Sequence, residues 1–358
     1  MKWRFGVFCP ILLVGAAAQN PPGTPWQELM SRAQAGDAAA QVQVGRAYED
    51  GTGVPQNDET AVEWLRKSAE QGNPEGQNNL GAMYAMGRGV MRDRQEAVRW
   101  YRKAAKQGLP EGAYNVAISY YNGEGAPYDL DLAYAWMTIA GKRGDVQATE
   151  ELNRIGGELN GHLDSSQLKL ANIYNKGEEV PLDYAAAYAL YTQLANLKTP
   201  QSPFVTQAQY QLCQGYATGR GVTEDLALAR SWCRKAAQRG ATGAYVVLGR
   251  MAEKGLGGDK NLKEAADWYR DAALERNPDG FLELGRLKSL GGSRDDQKEA
   301  YFWLYLGLRI FAKAADFIAP AQQAAARLGD KEISDQQIKA AAWLRMTSQE
   351  RAAQKRLH

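Results

Sequence analysis

The stretch QNNLGAMYAMGRGVMRDRQEAVRWYRKAA, residues 77–105, contains two helical patterns separated by a short glycine-rich turn. Leu80 and Tyr84 lie four positions apart before the turn, and Ala97 and Trp100 lie three positions apart after it. Spacings of three and four place side chains on one face of a helix. The stretch therefore predicts two antiparallel helices joined by a Gly-x-Gly turn.

The same pattern recurs along the chain. An aliphatic residue precedes each turn glycine by seven positions and a small residue precedes it by six, and an alanine follows by ten in six of the seven repeats. The turn glycines are Gly51, Gly87, Gly123, Gly177, Gly219, Gly255 and Gly291. Successive glycines are 36 residues apart among the first three and among the last three. A single hairpin cannot bury its apolar face, so hairpins of this kind stack in a row. We predict an all-α fold, a right-handed α-solenoid of about seven 36-residue hairpins with capping helices.

The glycine turn has a second interpretation, because Gly-x-Gly beside a basic residue can cradle a phosphate through backbone N–H groups. A phosphate loop is needed once, between a strand and a helix, whereas this turn recurs between two helices. The glycines are therefore interpreted as hinges that need positive φ. The N-caps predicted for the second helices are Asp93, Asp129, Asp183 and Asp225.

This set of residues resembles the Sel-one-like repeat (SLR) family, helical repeats similar to tetratricopeptide repeats. The resemblance covers about residues 33–310 and is weakest over residues 145–206. It implies an exported bacterial member that acts as a non-enzymatic scaffold or adaptor and binds another protein through its concave face. Some cysteine-rich relatives are described as penicillin-binding or β-lactam-hydrolysing. A hydrolase acting on cell-wall or β-lactam substrates is therefore the alternative function.

The N-terminal residues 1–18 are typical of a signal peptide, because Lys2 and Arg4 precede an apolar run that ends in small residues. About 14 apolar residues are too few to span a membrane as a helix. We predict a periplasmic or secreted protein. Residues 19–29 are interpreted as a linker, 30–167 as a first array of three repeats with cap-like helices, 168–346 as a second array with C-terminal capping helices, and 347–358 as a tail.

The charges are balanced, with 43 lysine and arginine residues against 41 aspartate and glutamate residues. Removal of the signal segment would take away Lys2 and Arg4 and make the two numbers equal. Nothing in this balance favours nucleic acid or an anionic membrane surface. The predicted partner is an envelope or secreted protein, with a peptide or glycan as alternatives, and we expect no nucleic acid and no stable membrane span.

Residue types that carry catalysis are scarce. His162 and His358 are the two histidines, and neither has a partner at motif spacing. We predict no catalytic residues, no metal site and no cofactor. The S-x-x-K sequence from Ser166 to Lys169 lacks the S-D-N and K-T-G motifs of β-lactam-binding enzymes. It is interpreted as an N-cap serine followed by a solvated lysine.

Two cysteines remain after removal of residues 1–18. Cys213 occupies the small-residue position of a first helix, and Cys233 lies on the second helix of the same hairpin. The two positions face each other, so a disulfide bond is plausible in an oxidising compartment. The alternative is two buried thiols that pack as small hydrophobic residues.

The predicted binding surface consists of first-helix positions two before, two after and five after the conserved aliphatic residue. The candidates are Arg46, Asn78, Tyr114, Ile118, Tyr121, Asn172, Tyr210, Gln214, Arg250 and Arg286. Exposed tyrosines beside amide side chains are typical of a groove for an extended peptide or a glycan. Alternatively, Tyr114 and Tyr121 pack against neighbouring repeats, and periodicity does not separate these two possibilities.

Overall fold

The computed structural model describes residues 25–160, 162–198, 202–311 and 315–355. These residues form helices and turns, and no strand occurs among them. The predicted all-α class is thus confirmed. None of the helices in these ranges combines the length and the hydrophobicity that a membrane span requires. The predicted signal segment, residues 1–18, lies outside the described residues.

The chain divides into two compact units, Met1–Leu182 and Asp183–His358, here called unit 1 and unit 2. The helices described in unit 1 are α1 (Pro25–Gln34), α2 (Ala38–Asp50), α3 (Asp58–Glu70), α4 (Pro74–Met86), α5 (Arg94–Lys106), α6 (Pro110–Asn122), α7 (Leu130–Lys142), α8 (Val146–Glu158) and α9 (Asp164–Lys176). Those described in unit 2 are α10 (Tyr184–Ala195), α11 (Pro203–Thr218), α12 (Leu226–Gln238), α13 (Thr242–Lys254), α14 (Leu262–Leu274), α15 (Pro278–Ser289), α16 (Arg294–Ile310), α17 (Ala315–Ala325), α18 (Asp330–Arg345) and α19 (Ser348–Lys355).

Within each unit, neighbouring helices pair as hairpins. The first helices are α2, α4 and α6 in unit 1 and α11, α13 and α15 in unit 2, and each packs against the helix that follows it. Each second helix also packs against the next first helix of its unit. The predicted tandem hairpins are therefore confirmed in both units. Helix α1 begins inside the segment interpreted as a linker, α19 lies in the interpreted tail, and the predicted boundary between residues 167 and 168 falls inside α9.

The turn between the two helices of a hairpin has the predicted geometry. Gly87 ends α4 with φ of 74°, and the side chain of Asp93 accepts a hydrogen bond from the Glu96 backbone N–H at 2.9 Å. Asp129, Asp183 and Asp225 cap the following second helices in the same way. The hinge glycine and the aspartate cap are confirmed at these turns. The prediction is wrong for Gly291, which has no positive φ, because α15 already ends at Ser289 with Leu290 in a right-handed conformation and Ser293 caps α16.

The second glycine of the turn has a different physical role. A Cβ atom added to Gly89 would lie 2.1 Å from the carbonyl oxygen of Asp58, at the start of the preceding second helix. Gly125 approaches the Arg94 carbonyl in the same manner, at 2.0 Å. No other residue permits this contact, so the Gly-x-Gly turn both reverses the chain and docks one hairpin on the previous one.

Inside a hairpin, a glycine faces a large side chain rather than only an alanine. A Cβ atom on Gly81 would lie 2.7 Å from the ring of Tyr101 and 3.2 Å from the Ala97 carbonyl oxygen. Gly249 has the same relation to Tyr269, at 2.4 Å. The two helix backbones approach closely at this glycine, and a large residue 14 positions after the turn glycine fills the space beside it.

Stacking between hairpins buries both apolar and polar groups. Leu65 of the first hairpin shares a core with Leu80 and Trp100 of the second. The Arg66 guanidinium donates to the Tyr84 hydroxyl at 2.9 Å, and Arg102 donates to Tyr120 one repeat further on. The tyrosine of each pair thus lies at the stacking interface.

A buried glutamine completes this interface. The Gln77 amide donates to the Ala69 carbonyl oxygen of the preceding hairpin at 3.2 Å, and its own oxygen accepts from the Gln107 amide at 2.8 Å. Gln41 and Gln71 repeat the second contact at 2.7 Å. Buried amides must be hydrogen-bonded to be tolerated, so these glutamines also specify how the hairpins align.

Candidate functional site

In unit 1, several predicted binding residues connect successive first helices. The Arg46 guanidinium on α2 lies 3.3 Å from the Glu75 carboxylate on α4. The Asn115 amide on α6 donates to the Asn78 side-chain oxygen on α4 at 2.9 Å. These groups are partly exposed, and they stabilise the helix array while they form its surface. Ile118 on α6 and Asn172 on α9 are half-buried.

The two tyrosines of α6 lie beside α8 rather than in an open groove. The Tyr121 hydroxyl donates to Glu158 at 2.6 Å, and the Arg154 guanidinium lies 4.7 Å from the centre of the Tyr121 ring. Burial, followed by the charge of Glu151, raises the pKa of the half-buried Tyr114. Tyr121 therefore packs against the neighbouring helix α8, which was one of the two possibilities for these tyrosines.

In unit 2, the predicted arginines belong to an ion-pair network between α13 and α15. Arg250 donates to Glu283 at 2.9 Å, and Arg286 lies 2.7 Å from Glu283 and 2.5 Å from Glu253. The Tyr269 hydroxyl donates to Glu253 at 2.9 Å. The two glutamate side chains are about 15% exposed, whereas both arginines remain above 40%.

The network shifts the pKa of Glu283 and of Tyr269. Burial alone would raise the pKa of Glu283, but hydrogen bonds from Arg286 and Arg250 outweigh it and hold the pKa below its ordinary value. Burial and the bond to Glu253 raise the pKa of Tyr269. Glu283 is thus charged at neutral pH, and both glutamates of the network are paired with arginine, so neither presents an unpaired carboxylate.

The remaining two predicted residues adjoin a cleft of about 680 Å³ in unit 2. The Gln214 amide donates to the Tyr210 hydroxyl at 3.0 Å, and burial raises the pKa of Tyr210. The cleft is lined by Pro203, Thr206, Gln207, Tyr210, Gln238, Arg239, Ala241, Thr242 and Gly243. Its walls come from α11, from the end of α12 and from the start of α13, and they carry hydroxyl, amide and guanidinium groups beside one aromatic ring.

Gly243 allows this cleft to form. A Cβ atom on Gly243 would lie 2.4 Å from the Tyr210 hydroxyl oxygen. The tyrosine ring therefore lies directly against the first turn of α13, and Gln214 holds its hydroxyl. Among the predicted binding residues, Tyr210 is the one that lines this cleft.

The two cysteines form a disulfide bond in the structure, with the Cα atoms 4.8 Å apart. Both side chains are fully buried between α11 and α12. Cys213 and Cys233 occupy the positions that Gly81 and Tyr101 occupy in the second hairpin. The covalent bond therefore takes the place of the glycine–tyrosine contact in this hairpin.

The S-x-x-K residues have a different environment from the one predicted. Ser166 lies inside α9 rather than at its N-cap, is fully buried, and donates its hydroxyl to Asp131 at 2.7 Å. Lys169 forms an ion pair rather than being surrounded by solvent, because its ammonium lies 2.7 Å from the Asp129 carboxylate. The interpretation as an N-cap serine with a solvated lysine is wrong: both side chains dock α9 on the start of α7.

Groups that could bind a metal are not clustered in the described ranges, where no set of three or more histidine, cysteine, aspartate or glutamate side chains is suitably placed. His162 is exposed. Sequence reasoning missed Glu158 and Glu283, the acidic partners of Tyr121 and of Arg250. A signal was present, because Glu283 precedes Arg286 by three residues, the spacing of a helical ion pair.

Comparison with known proteins identifies the repeats. A family model described as Sel1 repeat matches residues 38–73, 74–109, 110–145, 164–198, 206–240, 243–277 and 282–309. No curated protein matches the chain significantly.

Solved structures with similar chains include c5321, a protective antigen of uropathogenic Escherichia coli strains with an SLR fold. It is 23% identical, with 92% of this chain and 89% of that chain covered and a TM-score of 0.36. A Sel1 repeat protein from Oxalobacter formigenes is 28% identical over 70% of this chain and 93% of that chain, with a TM-score of 0.32. The immunity protein Pa5087 from Pseudomonas aeruginosa is 18% identical over 71% and 83%, with a TM-score of 0.28.

Proposed function

Since this chain belongs to the Sel1 repeat family, we propose that it is a non-enzymatic scaffold that binds a protein partner through the first-helix surface of its hairpins. The observation that carries the proposal is the cleft beside Tyr210 in unit 2. Elsewhere on the first helices, several predicted binding residues already have partners within the protein, as Arg250 and Arg286 have in Glu283.

The chemistry of the cleft favours a peptide segment of the partner. A tyrosine ring supplies a rigid apolar contact, and Gln207, Thr206 and Arg239 supply hydrogen-bonding groups around it. Extended peptides present alternating side chains and free backbone carbonyl groups, which such a mixture of donors can recognise. A glycan would use the same groups and is an alternative outcome of the test below.

The compartment is part of the proposal. The residues before position 19 have the charge and hydrophobicity of a signal peptide. A buried disulfide bond is a feature of proteins that fold in an oxidising compartment. Both observations support a periplasmic or secreted location, with an envelope or secreted protein as the partner.

The partner can be identified by site-specific photocrosslinking from Gln207, an exposed residue that lines the cleft. We expect a photoreactive residue there to capture a discrete protein from envelope extract. Tyr210→Ala should weaken binding of that protein by about tenfold or more, because a central tyrosine anchor is lost.

Gln193 provides a matched control, since it is an exposed glutamine of unit 2 outside the cleft. A photoreactive residue at position 193 should not capture the same protein. Equal capture from both positions, or an unchanged affinity of Tyr210→Ala with intact helicity, would remove the cleft from the proposal. Capture of a glycan alone would replace the protein partner.

Hydrolysis of β-lactams, the alternative function, is disfavoured by the position of Ser166. Its hydroxyl is buried and bound to Asp131, so it is not presented to a substrate. We expect the purified protein to show no turnover of a chromogenic β-lactam, and Ser166→Ala to leave that baseline unchanged. Turnover that disappears in Ser166→Ala would reinstate the enzymatic alternative.

A further inference from the structure

A second cleft, of about 810 Å³, lies in unit 2 between α14, α16 and α18. It shares no lining residue with the cleft beside Tyr210. Its lining residues combine apolar side chains with charged groups, and the ones that carry the argument are Arg270, Lys298, Phe302, Trp303, Lys339 and Trp343.

We propose that this cleft binds an apolar peptide segment that carries a carboxylate, presented by a partner protein. The segment's aromatic or aliphatic side chains contact Phe302 and Trp303, and its carboxylate pairs with Lys339. This surface is separate from the first-helix surface proposed above, so each can be tested without the other.

The apolar wall of the cleft is rigid. Trp303 and Trp343 are 6% and 4% exposed, and their rings meet edge to face with centroids 6.5 Å apart. Phe281 packs against both of them. Phe302 is half-buried and contacts the Trp303 ring at 5.0 Å. Aromatic side chains fixed in this way bind apolar groups at a low entropic cost.

Most of the charges at the rim neutralise one another. Arg270 lies 2.9 Å from Asp267 and 3.2 Å from Glu299. Lys298 lies 3.2 Å from Asp295. These ion pairs hold the side chains of Arg270 and Lys298 at the edge of the cleft and neutralise their charges.

Lys339 is the exception. It is an exposed residue of α18 that lines the cleft, and no carboxylate of the described ranges lies within ion-pair distance of its ammonium. Of the charged residues that line the cleft, three are cationic and two are anionic, so the lining has one cation in excess beside an apolar wall. A ligand that combines an apolar side chain with a carboxylate complements both features.

The cleft is preformed, because α18 is held on α16 by specific contacts. The Arg294 guanidinium donates to Glu332 at 2.8 Å, and the Gln337 amide donates to the Tyr301 hydroxyl at 2.9 Å. Helix α18 lies beyond the last segment that matches the repeat model, which ends at residue 309. The contacts across the cleft therefore belong to the C-terminal helices of this chain rather than to the repeat.

The test is a selection of displayed random peptides on the intact protein. We expect the enriched peptides to carry aspartate or glutamate next to an aromatic or aliphatic residue. Lys339→Glu should weaken binding of the strongest synthetic peptide by about tenfold or more, since an attraction becomes a repulsion. Replacing the acidic residue of that peptide by its amide should have a similar effect.

Lys331→Glu is the matched control, because Lys331 is an exposed lysine of α18 outside the cleft and the charge change is identical. Its affinity for the peptide should stay within about twofold of the unchanged protein. The proposal is overturned if no peptide is enriched, if the enriched peptides lack acidic residues, or if Lys339→Glu and Lys331→Glu behave alike. Loss of the peptide in Tyr210→Ala instead would assign it to the other cleft and would also overturn the proposal.

Discussion

Replacing Trp136 by alanine is expected to lower the free energy of unfolding by about 3–5 kcal/mol, the range for a tryptophan removed from a packed core. Trp136 on α7 is fully buried. Its removal takes away a large apolar contact area and leaves a cavity that the flanking helices fill only in part. Urea denaturation followed by circular dichroism measures the loss.

Trp64 is the control for this change, since it holds the equivalent place in the first hairpin and is only half-buried. Trp64→Ala should therefore cost less than Trp136→Ala. Stability in a repeat array is transmitted between nearest neighbours. Hydrogen exchange in Trp136→Ala should rise mainly in α6, α7 and the helices that touch them, and a uniform rise along the chain would contradict this expectation.

Reduction of the Cys213–Cys233 bond is expected to destabilise unit 2 by about 3 kcal/mol, as calculated for a cross-link that closes a loop of roughly 20 residues. The bond joins α11 to α12 where other hairpins have a glycine facing a large side chain. Urea denaturation with and without a reducing agent measures the effect. A variant with serine at both positions should have about the same stability as the reduced protein.

A double substitution tests whether the bond replaces a packing contact. Cys213→Gly with Cys233→Tyr recreates the pair that Gly81 and Tyr101 form in the second hairpin. We expect this variant to be more stable than the double-serine variant and insensitive to reductant. If the double-serine variant is as stable as the oxidised protein, the bond contributes nothing and the comparison with Gly81 fails.

The hairpins were predictable because their signals are local. A glycine that needs positive φ and an aspartate six positions later determine the turn around Gly87 without reference to the rest of the chain. The second glycine, Gly89, shows where local reasoning ends. Its necessity comes from the carbonyl oxygen of Asp58, which belongs to the preceding hairpin.

The candidate site was predictable in position but not in its contacts. Helical periodicity gives the direction in which Arg250 and Arg286 point, and both lie on the first helices as expected. It does not give the neighbour on the adjacent helix, which is Glu283 for Arg250 and Glu253 for Arg286. The cleft beside Tyr210 could not be predicted either, because it depends on a contact between hairpins: Gly243 of the next hairpin makes room for the Tyr210 ring.

The hairpin interior was only half predicted. An alanine opposite the small residue accounts for the close backbones, but the contact that fills the space is Tyr101 beside Gly81. The two residues are far apart in sequence, and in the first hairpin Leu65 takes the tyrosine's place. A position that tolerates both an aromatic and an aliphatic residue leaves no signature in a single sequence.

The interface between α3 and α4 and the interface between α5 and α6 contain the same hydrogen bond, from an arginine of the earlier hairpin to a tyrosine hydroxyl of the later one. A stretch of gene encoding 36 residues can therefore be lost or duplicated by unequal recombination. The two hairpins that become neighbours then form the same arginine–tyrosine contact that these hairpins form. Chain length in such a protein becomes a heritable variable, and each fresh copy is free to diverge at its outward positions.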